Sequence, residues 1–419
     1  MLTIRNWSPR RAALVLPLLA TCLLLLWNLA VPGQVMDDEA VVIQAQATPT
    51  PTPALRRAVG RLAGDRLLEE DTRLWRGAGD RQALLQAIDF SLRYLRTKRA
   101  AAAYSRQYPR TRISRKRVER SLRRFSALLK AARTAADLRR AVEREFVFYD
   151  PLTRRTSGST AAATAIHFTG YYEPIYNASR TRNATYRYPL FRLPSQFRHW
   201  PRPHPTRAAL EGRTGLEFSN QLRGMELLWL RDRLEAYLVQ VQGSARLRLT
   251  DGTIMSIGYA GTTAWPYTSM GRELVKDGKI PFEKLTLPTV IEYFQRTPQE
   301  LNRYLPRNRR FVFFRPTHGA AVRGGLGVPL TAERSIATDK SIMPPGALAI
   351  AQIQFSNPYA AQVMGTKAMT RYVLDQDAGA AIKGAARVDL FTGTGSHAGR
   401  RAGVINSTGR LYYLLLKND

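Results

Sequence analysis

The chain has 419 residues, 44% of them hydrophobic, with 64 Lys+Arg against 32 Asp+Glu and a formal net charge of +32. The length accommodates two or three domains, and the apolar content excludes global disorder. The charge points to an anionic neighbour such as a wall polymer, a membrane surface or nucleic acid, or else to a solvated basic surface without a single partner. One cysteine, Cys22, excludes a disulfide and a cysteine metal site, and the histidines 167, 199, 204, 318 and 397 lack metal-ligand spacing, so a zinc site is not expected.

In chain order, Arg5, Arg10 and Arg11 precede a nearly unbroken apolar run from Ala12 to Val31, interrupted by Pro17. This is the pattern of an export signal or a membrane anchor over residues 1–35, and its basic flank predicts that the bulk of the chain is translocated. Export argues against nucleic acid as the partner. A lipoprotein reading at Cys22 is weakened by Thr21 and by the apolar run continuing past it. Residues 36–78 read as a linker, in which Thr48-Pro49-Thr50-Pro51-Thr52-Pro53 is an extended tether.

Leu84, Ile88, Leu92 and Leu95 repeat at helical spacing, with Asp80 as a candidate N-cap. Val118, Leu122, Phe125 and Leu129 form a second stripe, and Leu138, Val142 and Phe146 a third after Thr134. Between them lie many basic residues, among them Arg93, Arg96, Lys98, Arg99, Arg106, Arg110, Arg112, Arg115, Lys116, Arg117, Arg120, Arg123 and Arg124. They are either the wet faces of these helices or an anion-facing patch.

From about Phe168 the texture changes to short strands and turns. Leu247 and Leu249, Asp251-Gly252 and then Ile254 make a hairpin signal. Apolar strands are expected at 311–314, 348–350, 372–374 and 411–415, with Gly-rich loops at 322–330 and 393–403. A single helix is expected in this half, around Leu287 to Phe294. Such a pattern suits β-barrels joined by long loops.

Three aspartates stand out because carboxylates are scarce and each lies in or beside an apolar run: Asp339, Asp377 and Asp389. Asp377 and Asp389 lie on strand-like segments joined by a Gly-containing loop, expected as neighbours whose side chains converge. Two nearby carboxylates in an apolar setting hold one proton near neutrality, which is what a glycosidic leaving oxygen requires. Exposed strand-end aspartates would have the same spacing. Lys383 is either a substrate or carboxylate partner or an ordinary surface lysine, and Gly393 and Gly395 allow either a tight turn or close backbone approach to a ligand. Thr169, Tyr171, Tyr172 and Glu173 in one segment, and Gln242, Gly243, Ser244, Tyr259, Ala260 and Gly261 in another, offer stacking faces, amides and hydroxyls suited to sugars. Core tyrosines would look the same.

The ordered set of Phe168-Thr169-Gly170-Tyr171-Tyr172-Glu173-Pro174, Gln240-Val241-Gln242-Gly243-Ser244, Tyr259-Ala260-Gly261, Ser335-Ile336-Ala337-Thr338-Asp339, Ile382-Lys383-Gly384, Arg387-Val388-Asp389-Leu390-Phe391 and Gly399-Arg400-Arg401-Ala402-Gly403 resembles the membrane-bound lytic murein transglycosylase A family. The resemblance implies a mainly β fold with N-terminal helices. A double-psi β-barrel at 79–175 plus 318–419 would carry the three aspartates, and a second small β-barrel would be inserted at 176–317. A glycan strand would lie in the groove between them.

It also implies a lytic transglycosylase, a lyase that acts on peptidoglycan in the periplasm or cell envelope as a monomer, without metal or cofactor. Asp389 takes the place of the family's acid, Asp377 that of its neighbouring aspartate, and Asp339 that of a structural aspartate. The chain departs from the family pattern at Ala378 and Ala245, small-for-small changes that touch loop geometry. A two-carboxylate hydrolase using Asp377 and Asp389, a non-catalytic wall-binding protein and a nucleic-acid binder are the alternatives.

Overall fold

The computed structural model describes residues 55–57, 70–108, 113–152, 165–355 and 358–417. The expected signal or anchor, the Pro/Thr tether, Arg110 and Arg112 lie outside these residues. Among the described residues no helix is long and apolar enough to cross a membrane.

After the two-residue strand β1 (Arg56–Arg57) come four helices: α1 (Ala78–Leu95), α2 (Lys98–Gln107), α3 (Arg115–Ala131) and α4 (Ala135–Glu145). Val118, Leu122, Phe125 and Leu129 of α3 are all buried. The Phe125 ring meets Tyr372 at 4.8 Å and Phe146 at 6.3 Å, which fastens the helix to the sheet beneath. Each such side chain contributes about 1.5–3 kcal/mol on burial. Thr134 caps α4 in a reciprocal box with Asp137. Asp80 is not a cap: Gly77 is the N-cap of α1, and Asp80, inside the first turn, pairs instead with Arg73 Nε at 2.8 Å.

The arginines of these helices are not all wet. Arg117 is 4% exposed and donates to the Leu416 carbonyl and to the Tyr149 hydroxyl. Arg81 donates to the Leu129 carbonyl and Arg115 to the Leu95 carbonyl, satisfying acceptors that helix ends leave without partners.

The rest of the described chain runs in the order β2 (Phe146–Asp150), β3 (Ile166–Glu173), β4 (Ile175–Ser179), β5 (Tyr188–Phe191), α5 (Arg207–Glu211), β6 (Glu226–Leu230), α6 (Arg233–Gln242), β7 (Ser244–Leu249) and β8 (Ile254–Thr262). There follow α7 (Met270–Lys276), α8 (Leu287–Arg296), α9 (Leu301–Tyr304), β9 (Val312–Pro316), β10 (Ser335–Ala337), β11 (Leu348–Gln354), α10 (Pro358–Met364), β12 (Ala368–Asp377), β13 (Arg387–Thr394), α11 (Gly395–Val404) and β14 (Asn406–Leu416).

The strands form two sheets. The first has the order β1-β2-β14-β11-β12-β10-β13-β3, and β14 also pairs with β3, so its last six strands close into a ring. Two pairings in the ring, β10 with β12 and β13 with β3, are parallel, and the others are antiparallel. The closed six-stranded ring with crossed parallel pairs is the double-psi barrel. The second sheet has the order β5-β6-β4-β7-β8-β9, and a bridge between Arg192 and Phe314 brings its edges together. The chain is thus mainly β with N-terminal helices, and it passes from the first barrel to the second at Pro174, between β3 and β4.

The hairpin at Asp251-Gly252 forms between β7 and β8. The single helix expected after Phe168 is instead several. The Val-Gln-Val-Gln alternation at 239–242 imitates a strand, but Asp232 caps α6 at one end and Gly243, at φ +77°, ends it at the other. The segment 393–403 is not a Gly-rich loop. It is the end of β13 followed by α11, whose small residues Ala398, Gly399 and Ala402 let the helix lie against β3. Contact is so close that a Cβ on Gly170 would stand 2.8 Å from the Ala402 Cα.

Candidate active site

Asp377 and Asp389 do not lie on adjacent strands. The short strand β10 runs between them, and Ala337 is the register partner of both, of Asp377 on β12 and of Asp389 on β13. A shift in the β10–β12 register at Ile336/Ala337 accompanies this placement. Both aspartates border one cleft of about 1010 Å³ between the two barrels.

Asp389 is fully buried. Its Oδ1 accepts a hydrogen bond from the Thr169 hydroxyl at 2.7 Å, and its Oδ2 has no hydrogen-bond partner among the described residues. Burial pushes the carboxyl up to about 7, against the pull of Arg387 and Thr169, and the charge of Asp377 adds to the rise. Thr169 is held in turn by Arg387, whose Nη2 donates to its oxygen at 2.9 Å. Arg387 also meets His167 Nδ1, and His167 Nε2 lies 2.7 Å from Asn406 Oδ1. An arginine can only donate, so Nδ1 is the acceptor and Nε2 carries the proton. Burial, with Arg387 beside it, drops His167 to about 4, so the ring is neutral. Burial also lowers Arg387 to about 10.

Asp377 is half-buried and fully engaged. Its Oδ1 accepts from the amides of Gly325 at 2.6 Å and Ala378 at 2.7 Å, and its Oδ2 from the Tyr171 hydroxyl. Burial raises this carboxyl despite those donors. Asp339 lies apart from the cleft. It accepts from the Ser341 amide at 3.0 Å, the Ser341 hydroxyl at 2.7 Å and the Gly384 amide at 2.9 Å, and so ties the turn after β10 to the loop after β12. Burial pushes it up, but these bonds and the nearby Lys383 outweigh that and hold it below its ordinary value.

Of the other candidates, Tyr171, Glu173, Gln242, Gly243, Ser244, Tyr259 and Ala260 line the cleft. Glu173 is buried and pairs with Arg246 Nε and the Thr394 hydroxyl, both at 2.8 Å. Gln242 accepts weakly from the Tyr172 amide at 3.4 Å, while its Nε2 has no partner among the described residues. Thr169 and Tyr172 stand behind the lining, and Lys383 and Gly261 are away from it. Gly393 and Gly395, at φ +114° and +85°, make the turn from β13 into α11.

The sequence reading assigned no role to Arg387 and His167. Arg387 precedes Asp389 by two residues on the same strand, so alternation alone places both on one face. It also gave no site role to the cleft-lining loop from His318 to Gly327 or to Arg310 and Arg315 near β9, and it left Arg99 of α2, which lines the cleft too, among helix arginines read as either solvated or anion-facing.

Comparison with known proteins gives the following relationships. A family model described as the MltA specific insert domain matches residues 167–315, and one for the 3D domain matches residues 334–415. Membrane-bound lytic murein transglycosylase A of Escherichia coli strain K12 is 31% identical over 259 residues, covering 59% of this chain and 65% of the relative. The chain thus spans slightly less than two thirds of that protein's length. The protein of the same name from Vibrio cholerae is 30% identical over 283 residues, covering 64% of this chain and 73% of the relative.

Among solved structures, a membrane-bound lytic murein transglycosylase from Agrobacterium tumefaciens matches with a TM-score of 0.63 at 25% identity, covering 81% of this chain and 93% of that one. E. coli MltA with bound chitohexaose matches with a TM-score of 0.59 at 26% identity, covering 80% and 90%.

Proposed function

Since the chain belongs to the membrane-bound lytic murein transglycosylase A family, we propose that it cleaves the β-1,4 bond between N-acetylmuramic acid and N-acetylglucosamine in peptidoglycan and leaves 1,6-anhydro ends. One observation carries this reading: a buried carboxyl at the cleft, Asp389, keeps its proton to about pH 7, with one oxygen fixed by Thr169 and the other without a partner. The chitohexaose bound by the E. coli relative is in keeping with a β-1,4-linked amino-sugar strand in the cleft.

In the proposed reaction the Asp389 proton passes from Oδ2 to the glycosidic oxygen as its bond to C1 of the muramic acid breaks. Positive charge develops at C1 and the ring oxygen. The C6 hydroxyl of the same sugar attacks C1, and the Asp389 carboxylate takes the hydroxyl proton. One residue serves as acid and then as base, the nucleophile is intramolecular, and no water is consumed. Tyr171, through Asp377, and the Gln242–Ser244 turn would hold the strand. We read residues 79–175 plus 318–419 as the catalytic domain, 176–317 as the insertion, and the chain as acting in the cell envelope.

The hydrolase alternative needs Asp377 as a base for water. Its oxygens are already engaged by Tyr171, Gly325 and Ala378, which disfavours that role. The test is to digest purified murein and weigh the products. Anhydro ends, lighter by one water than reducing ends, are expected. Reducing ends would replace this reading with the hydrolase, and an absence of cleavage with a binding protein.

A further inference from the structure

Four cleft-lining arginines have no carboxylate partner among the described residues. Arg99 donates to the Gly325 carbonyl at 2.8 Å, Arg323 to the Gly327 carbonyl at 2.8 Å and Arg310 to the Trp265 carbonyl at 3.2 Å, and Arg315 is exposed. Two belong to the N-terminal helices and the loop beside Asp377, and two to the segment around β9 in the second barrel. The cleft's carboxylates do not balance them. Glu173 is already paired with Arg246, and Asp389 is protonated below neutrality, which leaves Asp377. The charges acting on Asp389 are Arg387 and Asp377, so the four arginines stand along the cleft and not against the acid.

A concave surface lined with one sign of charge focuses its field and concentrates ligands of the other sign. A neutral amino-sugar strand has no use for that field. Carbonyl contacts hold three of the guanidinium groups in place, yet each keeps N–H donors free for a planar, bidentate anion.

We propose that Arg99, Arg310, Arg315 and Arg323 form a carboxylate-binding rim that makes the cleft selective for anionic glycan over neutral glycan of the same backbone. The inference rests on the glycan-cleaving function proposed above. The carboxylates come from one of two sources: the lactyl group of muramic acid in a peptide-free strand, or the peptide attached to that group.

The test uses the full chain carrying Asp389→Asn, so that ligands bind without turnover. Dissociation constants are measured for three oligomers of equal length: neutral chito-oligosaccharide, peptide-free murein oligosaccharide and peptide-bearing murein oligosaccharide. The preference for anionic over neutral oligomer is compared before and after adding Arg315→Gln and Arg323→Gln together. Two partly exposed ion pairs predict a loss of preference of roughly 3- to 30-fold, shrinking at high salt.

Loss with the peptide-free oligomer alone identifies the lactyl carboxylate, because the peptide converts that group to an amide. Loss with the peptide-bearing oligomer alone identifies the peptide, and loss with both shows that the rim takes either carboxylate. An unchanged preference, or equal weakening for all three oligomers, overturns the proposal. Product masses from the unsubstituted protein are read in parallel. Anhydro ends with an unchanged preference sink the rim alone, whereas a shifted preference without anhydro ends sinks the proposed chemistry alone.

Discussion

Thr169 and Asp389 are register partners in a parallel strand pair, and the threonine hydroxyl donates to Asp389 Oδ1 at 2.7 Å. The direction of this bond is forced. Arg387 donates to the same hydroxyl oxygen, so the threonine hydrogen is left to point at the carboxyl. Oδ1 is therefore the accepting oxygen, and the acid proton resides on Oδ2. Thr169→Val removes the donor and leaves Arg387 short of an acceptor. Turnover of murein should fall roughly 10- to 100-fold, the worth of a hydrogen bond to a charged group, while Thr169→Ser retains most of it. Steady-state rates on the two variants check this, and a valine variant at full rate would refute the arrangement.

Asp389 also makes stability depend on pH. Its folded value of about 7 lies above the ordinary carboxylate range, so between about pH 4 and 7 the folded chain binds the extra proton. The contribution is fully present below the unfolded value and is lost as pH rises through 7. For a shift of this size the loss approaches about 4 kcal/mol. Asp389→Asn should abolish turnover, and above pH 7 it should be more stable than the parent chain. Urea titrations at pH 5 and pH 8 read the difference, which should be larger at pH 8.

Arg387 is the positive charge that pulls Asp389 down. Arg387→Met should let the carboxyl rise further, so the alkaline limb of the rate profile moves to higher pH while the maximum rate falls. Arg387→Lys keeps the charge and should hold the limb nearer its original position. A purely structural role would lower the rate without moving the limb, so the pH–rate profile decides between them.

Gly170 lies where α11 rests on β3. Gly170→Ala places a methyl group 2.8 Å from backbone, not from a flexible side chain, and the helix must shift. A loss of about 1–3 kcal/mol is expected. Chemical denaturation measures it, and a change within error would mean that α11 is free to slide.

Asp71 is 2% exposed and lies against Arg334, itself 1% exposed, and Arg371. It also accepts from the Tyr372 amide at 3.0 Å. Beside it Glu333 takes Arg401 at 2.5 Å and Arg371 at 3.4 Å. Asp71→Asn leaves the buried Arg334 guanidinium without its counter-charge and Arg371 with Glu333 alone, and a loss of about 3–5 kcal/mol follows. Thermal melts of the variant would show it as a large fall in midpoint.

Local periodicity made much of this fold legible. The stripes beginning at Leu84, Val118 and Leu138 are α1, α3 and α4, and the Asp251-Gly252 turn is where the hairpin turns. What could not be read was long-range pairing. Nothing near Asp377 or Asp389 says that Ala337 comes between them, because a three-residue strand has no pattern of its own. Small residues misled in another way: Ala398, Gly399 and Ala402 read as loop by composition, yet their smallness is what close helix–sheet packing needs. Arg99 looked like one more basic helix residue, and only the tertiary fold carries it to the cleft.

β14 reaches three partners at once: β3 through residues 406–409, β11 along its middle and β2 at its end. The whole second barrel separates it in sequence from β3, so a chain leaving the ribosome carries β3 long before the strand that closes the ring. Until then β3 has a bare edge, and Asn406 is not there to hold His167. Asp389 keeps its proton because it is buried, and that burial exists only in the folded barrel. In the unfolded chain the same residue is an ordinary aspartate, ionised at neutral pH, so the acid is a product of the fold and not of the residue.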